Sequence, residues 1–142
     1  MTTYQRDYFG WCSNQAAAIQ NKQFESLDID NLIEEIRSLG NAEKQRLISN
    51  LVIVFMHLLK WNYQSLRRSN SWKNSIAEHK RRVLKILNKN PSMKACLNEC
   101  VEDAYQEARY EASQQTGLEI DTFPQGCPFA LSTILNPDWL PE

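Results

Sequence analysis

Three side chains that can carry out acid–base chemistry lie on or beside apolar helical patterns. His57 and Lys60 are one turn apart on the polar edge of the apolar run Leu47–Trp61, and Glu35 borders an earlier apolar face. A half-buried carboxylate beside a histidine and a lysine can transfer protons or hold a metal ion. The same residue types more often form a structural ion pair. We expect Glu35, or failing that Glu34, to reach His57 or Lys60.

A zinc site is the weaker metal hypothesis. Cys96 and Cys100 are one helical turn apart, and Cys127 or His79 would have to complete a tetrahedral set. The chain has no C-x-x-C pair and no H-x-x-x-H motif, and reduced cysteines commonly pack as small apolar groups. We therefore expect no metal and no cofactor.

The charges of the chain are segregated. Lys60 to Lys94 is rich in cations and contains one acid, Glu78, whereas the chain after residue 95 is acidic apart from Arg109. A basic amphipathic helix at about 71–89 can bind a polyanion. The candidate binding residues are Arg67, Arg68, Lys73, Lys80, Arg81, Arg82 and Lys85.

Two partners remain open for this basic helix. The acidic helix at 91–115 follows it after a short turn, so the two should be antiparallel neighbours whose opposite charges meet, within one chain or between subunits. Otherwise an acidic protein is favoured over nucleic acid, because the pI is near 6.1 rather than above 9.

Helical periodicity and capping residues predict an all-α fold. One domain, 1–142, should form a compact bundle of five or six helices with a central buried helix at about 42–66. Asp28 should begin one helix and Gly40 should end it. The first helix should add Asp7 or Gln15 to the Glu35 network. The other helices are expected at 4–21, 29–39, 71–89, 91–115 and, closing a loop-rich tail, 129–135.

Several classes of protein are disfavoured by the sequence. The N-terminus lacks the basic start and apolar core of a signal peptide, and the apolar run is too short and polar to span a bilayer. No G-x-G-x-x-G phosphate loop is present. We expect a cytoplasmic protein with no membrane partner and with reduced cysteines.

Short motifs along nearly the whole chain resemble domain-of-unknown-function family 29. They are DYFGW, QAAAI, LDIDNLIEEIRSLG, MHLLKWNYQ, SW-x₃-I, AY-x₂-AR, TGL and FPQGCP. The resemblance implies an all-helical bacterial protein, commonly cyanobacterial, with no assigned activity. Ser65 and His79 depart from the residues usual in that family, proline and glutamine. The matching motif residues include Asp7, Trp11, Gln15, Asp28, Asn31, Glu34, Glu35, His57, Lys60, Gln64, Trp72, Tyr105 and Arg109, and many are polar residues beside apolar faces, as in a buried polar network.

The sequence favours a binding module over an enzyme. The preferred hypothesis is a non-catalytic binding or regulatory domain that uses the basic helix, or that associates with itself. The alternative is a small metal-assisted or acid–base hydrolase built on Glu35, His57 and Lys60. No nucleophile motif or metal-ligand spacing supports the second hypothesis, and a helical bundle needs neither to act as an adaptor.

Overall fold

The computed structural model describes residues 3–142, and within that range the regular structure is entirely helical. The predicted all-α fold is confirmed. The α-helices are α1 (Thr3–Arg6), α2 (Tyr8–Gln20), α3 (Ile29–Tyr63), α4 (Asn70–Lys89), α5 (Leu97–Thr116) and α6 (Leu131–Ile134). Short 3₁₀ turns occupy Phe24–Ser26, Ser65–Arg67, Pro91–Cys96 and Ile120–Thr122.

Helix α3 is continuous, so the predicted stop at Gly40 is wrong. A glycine inside a helix costs only about 1 kcal/mol relative to alanine, and no proline follows to block the next hydrogen bonds. No neighbour would lie within 4 Å of a Cβ atom at Gly40, so steric crowding is not the reason for a glycine at this position. The long apolar pattern that follows supplies enough packing to carry the helix past Gly40.

The predicted first helix is divided at Asp7. This residue has non-helical backbone angles, and its carboxylate accepts a hydrogen bond from the Gly10 N–H at 3.0 Å, which caps α2. A Cβ atom at Gly10 would lie 2.3 Å from the Asp7 Oδ2 atom. Glycine at this position therefore makes room for the cap.

The ends of α4 and α5 follow local chemistry. Ser69 caps α4 by accepting a hydrogen bond from the Trp72 N–H at 3.2 Å. The predicted helix 91–115 begins as the 3₁₀ turn that Pro91 opens, and α5 proper ends before Gly117, whose φ of 76° is the left-handed C-terminal conformation. The last helix, α6, is shorter than the predicted 129–135.

The chain folds as two units, one ending at Ala42 and one spanning Glu43–Glu142. In the first unit, Trp11, Gln15 and Ala18 of α2 are buried. The second unit holds the hydrophobic core around the C-terminal part of α3, as predicted for the apolar run. Fully buried core side chains come from α3, α4, α5 and the tail, and include Leu47, Leu51, Val54, Phe55, Leu58, Val83, Tyr105, Phe123 and Ile134.

No helix within residues 3–142 combines the length and apolar character needed to cross a membrane.

Candidate functional site

The proposed acid–base cluster does not assemble. Glu35 belongs to the first unit, where its carboxylate accepts hydrogen bonds from the hydroxyl groups of Tyr4 and Tyr8. The predicted pairing of Glu35 with His57 or Lys60 is therefore wrong, because the two tyrosines bind both carboxylate oxygens.

Two tyrosines hold the Glu35 carboxylate in its ionised form. The hydrogen bond from Tyr4, and then the one from Tyr8 at 2.5 Å, hold the pKa of Glu35 below its usual value. The same bonds raise the pKa of both tyrosines, since a phenolate would face the carboxylate. Glu34 lies on the exposed side of the helix. The Glu35 arrangement joins α1 and α2 to the start of α3.

A second polar network surrounds Asp28. Its Oδ2 atom accepts hydrogen bonds from Trp11 Nε1 at 3.0 Å and from Asn31 Nδ2 at 2.8 Å, and its own N–H donates to Gln15 Oε1 at 2.8 Å. The bonds from Asn31 and then Trp11 lower the pKa of Asp28. Gln15 thus joins Asp28 rather than the Glu35 carboxylate. A half-buried network of polar residues from the matching motifs therefore surrounds Asp28.

The second half of α3 places His57 and Lys60 beside Trp72 of α4. Lys60 Nζ lies 4.7 Å from the Trp72 ring centroid and donates to Gln115 Oε1 at 3.0 Å, and burial lowers its pKa. Burial, followed by the charges of Lys60 and His79, lowers the pKa of His57 to about 4. The buried Nδ1 atom of His57 has no hydrogen-bond partner among the described residues. His57 is thus neutral at pH 7 and too weakly basic for efficient general-base catalysis.

The other histidine, His79, has a local structural role. Its Nδ1–H group donates to the backbone carbonyl of Ser75 at 2.8 Å, one turn earlier on α4. This is the satisfied histidine expected on an apolar helix face.

The cysteines do not form a metal centre. Cys100 Sγ lies 3.9 Å from Cys96 Sγ, and both thiols are free, like those of Cys12 and Cys127. Burial, followed by the hydrogen bond with Cys96, raises the pKa of Cys100 to about 11, which disfavours the thiolate that zinc requires. No group of three or more histidine, cysteine, aspartate or glutamate side chains in residues 3–142 is arranged to hold a metal ion.

Lys80, a predicted surface cation, is completely buried. Its ammonium group donates to the backbone carbonyls of Thr133, Asn136 and Trp139 at 2.9, 3.0 and 2.9 Å. Burial lowers the pKa of Lys80 to about 8, so the side chain is still charged near pH 7. The predicted role of Lys80 in binding a partner is wrong, because the C-terminal segment occupies every N–H group of its ammonium.

Arg68 is also engaged within the chain. It donates from Nε to the Trp61 carbonyl at 2.9 Å and from Nη2 to the Glu142 carbonyl at 2.7 Å, and its guanidinium lies 4.8 Å from the Trp61 ring centroid. Arg67, Lys73 and Arg81, by contrast, are exposed. The predicted binding residues therefore divide into surface cations and cations that hold the tail.

The surface cations Arg82 and Lys85 line a groove between α3 and α4. Its volume is about 500 Å³, and we call it the basic groove. Its lining residues are Glu43, Arg46, Asn50, Arg82, Lys85, Ile86 and Lys89. Four cations and one acid thus face one concave surface. Helical periodicity predicts that Arg46 and Asn50 lie on the polar stripe of α3. It does not predict that they lie close to α4, because that depends on how the two helices pack.

Two carboxylates partly neutralise the basic groove, and one of them, Glu78, pairs with the lining residue Arg82 at 2.7 Å. Glu43 pairs with Arg46 at 2.5 Å and accepts a hydrogen bond from Asn90 Nδ2 at 3.0 Å, and these two bonds, in that order, lower the pKa of Glu43. Within the described chain, Lys85 and Lys89 have no acidic oxygen within ion-pair distance. The groove therefore keeps uncompensated positive charge.

The acidic helix does not neutralise the basic one through direct ion pairs. The salt bridges within residues 3–142 join Arg46 to Glu43, Arg82 to Glu78 and Arg109 to Asp121, and none joins α4 to α5. The predicted contact of opposite charges along these two helices is thus absent in the described chain. Basic and acidic surfaces both remain available to a partner.

The sequence matches the family described as Domain of unknown function DUF29 over residues 3–140. The chain belongs to the DUF29 family. No curated protein and no solved structure matches it.

Two of the DUF29-like motifs contact each other. From AY-x₂-AR, the Tyr105 hydroxyl donates to the Pro124 carbonyl at 2.6 Å, and Arg109 donates to the Phe123 carbonyl at 3.2 Å. Both acceptors belong to FPQGCP. These polar motif residues fasten the segment after α5 to the helix, so their role in the structure is to position the chain.

Proposed function

We propose that this DUF29 domain is a non-catalytic binding module whose basic groove takes an acidic segment of a partner protein. The observation that carries the proposal is the clustering of Arg46, Arg82, Lys85 and Lys89 around one concave surface that they share with the single acid Glu43. Carboxylates are natural partners of such a site because arginine and lysine side chains donate charge-assisted hydrogen bonds to them.

The charge distribution favours an acidic protein over a nucleic acid. The groove holds few net charges, whereas proteins that follow a phosphate backbone usually present an extended basic stripe. The chain has a formal net charge of −1, and α5 exposes Glu99, Glu102, Asp103 and Glu107. These carboxylates would repel a long polyanion but not a short acidic segment bound in the groove.

The hydrolase alternative lacks support from the geometry. Glu35 is bound to tyrosines, and the pKa of His57, about 4, leaves a neutral and weakly basic imidazole. Lys60 is held by Trp72 and Gln115. We propose that the binding module works in the cytoplasm of a bacterium, as the family resemblance implies.

Fluorescence anisotropy with a fluorescein-labelled peptide of alternating glutamate and glycine tests the proposal. We expect saturable binding at low ionic strength that weakens as salt screens the charges. Lys85→Glu with Lys89→Glu should weaken binding at least about tenfold, equivalent to about 1.4 kcal/mol.

The matched control reverses two exposed cations of α4 outside the groove, Lys73→Glu with Arg81→Glu, and should retain most of the affinity. Equal losses in both double variants would mean that only the overall charge matters, and the proposal would fail. It would also fail if the peptide did not bind saturably, or if a single-stranded oligonucleotide bound more tightly through the same residues.

A further inference from the structure

The first turns of α3 carry an apolar stripe that remains exposed. Ile29, Ile33, Ile36 and Leu39 recur at helical spacing, and their exposed fractions are 53, 41, 66 and 69%. A helix of a folded protein normally buries its apolar stripe and exposes its polar face. A contiguous apolar surface of this kind marks an interaction site.

Contacts within the first unit are made by the opposite side of the same helix segment. Asp28, Asn31 and Glu35 provide the polar contacts with Trp11 and with the tyrosines of α1 and α2. The segment thus turns its polar residues towards its neighbours and its isoleucines outwards. Since α1 and α2 already occupy the polar side, the apolar stripe is left for a separate partner.

Two exposed charges of opposite sign flank this stripe on one edge. Asp30 and Arg37 are seven residues apart, and no salt bridge of the described chain includes either. On a helical projection both lie beside the Ile29–Ile33–Ile36 line on the same side, whereas Leu32 and Leu39 form the other side. Because this edge carries one charge of each sign, it can pair with a copy of itself that runs in the opposite direction.

We propose that the apolar stripe pairs with the same stripe of a second copy of this chain, antiparallel about a two-fold axis. In an antiparallel helix pair like edges face each other, so Asp30 of each copy lies against Arg37 of the other. A parallel pair would instead set the charged edge against the leucine edge. Charge complementarity therefore selects the second copy and its direction.

Gly40 suits a close helix–helix contact at the end of the stripe. It lies on the same face as Ile29, Ile33 and Ile36, and a Cβ atom at Gly40 would meet no atom within 4 Å. The absence of a side chain allows the backbone of a second helix to approach closely.

Sedimentation equilibrium of the full chain over a range of concentrations tests the proposal. The wild type should show a monomer–dimer equilibrium. Asp30→Arg alone and Arg37→Glu alone should each weaken the dimer at least about tenfold, because each puts like charges opposite one another twice. The double variant Asp30→Arg with Arg37→Glu restores opposite charges and should return to within about threefold of the wild-type dissociation constant.

Two further variants separate association from folding. Ile36→Asp should leave the chain monomeric with unchanged far-ultraviolet circular dichroism, since the replaced side chain is already 66% exposed. Glu25→Arg, an exposed charge reversal outside α3, should leave the dimer unchanged. A wild-type chain that stays monomeric throughout the concentration range overturns the proposal. A double swap as weak as the single variants also overturns it.

Discussion

Replacing Lys80 with methionine removes the one cation that α4 buries completely. The substitution keeps a long, flexible apolar stem but deletes the ammonium that donates to the carbonyls of Thr133, Asn136 and Trp139. The lysine Nζ also lies 5.0 Å from the Trp139 ring centroid, and that cation–π contact is lost as well. The variant therefore tests whether a single side chain holds the C-terminal segment in place.

The expected cost follows from the acceptors that are left behind. The Thr133 and Asn136 carbonyls also accept hydrogen bonds from the backbone N–H groups of Asn136 and Trp139, each at 3.2 Å, so they keep a donor in the variant. The Trp139 carbonyl loses its donor, and a buried carbonyl without a donor costs about 1–3 kcal/mol. The expected loss is therefore about 2 kcal/mol, which for a chain of this size lowers the melting temperature by about 4–8 °C.

Urea unfolding monitored by circular dichroism gives the free energy, and amide hydrogen exchange locates the change. Residues 131–142 should exchange faster in Lys80→Met, whereas α5 should keep its protection relative to global unfolding. Lys73→Met replaces an exposed lysine of the same helix and should change stability by less than about 0.5 kcal/mol. A Lys80→Met protein as stable as this control would refute the reasoning, because the C-terminal segment would then not need the ammonium group to hold it.

Two other predictions concern capping and pH. Asp7→Ala should destabilise the start of α2 by about 1 kcal/mol and speed exchange of its first-turn amides about fivefold, whereas Asp7→Asn, which keeps an acceptor for the Gly10 N–H, should not. The pKa of His57 is about 4 in the folded chain and 6.5 in the unfolded chain. Between pH 6.5 and 4 the unfolded chain therefore binds more protons than the folded chain. The free energy of unfolding falls as the pH drops through this range. Between pH 7 and 4.5, His57→Leu should lose roughly 1–2 kcal/mol less stability than the wild type, and equal losses would contradict the assignment.

Helix α4 illustrates what could be predicted from local sequence. Its limits, Asn70 and Lys89, agree with the pattern because Ser69 supplies a cap and Asn90-Pro91 ends the run. Helix α3 was divided incorrectly because Gly40 carries a stop signal that the long apolar pattern outweighs. Local capping residues therefore predicted the ends of α4 correctly. They failed at Gly40, where the packing of the long apolar pattern decided whether the helix continued.

The predicted sites failed for a related reason. Residue type and helical periodicity identified Glu35, His57 and Lys80 as chemically capable, but periodicity gives only the face of a helix on which each lies. Which other element covers that face depends on contacts distant in sequence. Tyrosines from α1 and α2 cover Glu35, and carbonyls of the C-terminal segment cover Lys80.

Composition, spacing and local motifs were enough to establish the helical class, the apolar core of α3, the segregation of charge and membership of DUF29. The choice of partner for each polar group depended on tertiary packing. That packing buried Lys80, brought Arg46 beside Lys85 in the basic groove, and left Ile29, Ile33 and Ile36 exposed. A charge or an apolar side chain acquires its role from the surface packed against it, and that surface comes from a remote part of the chain.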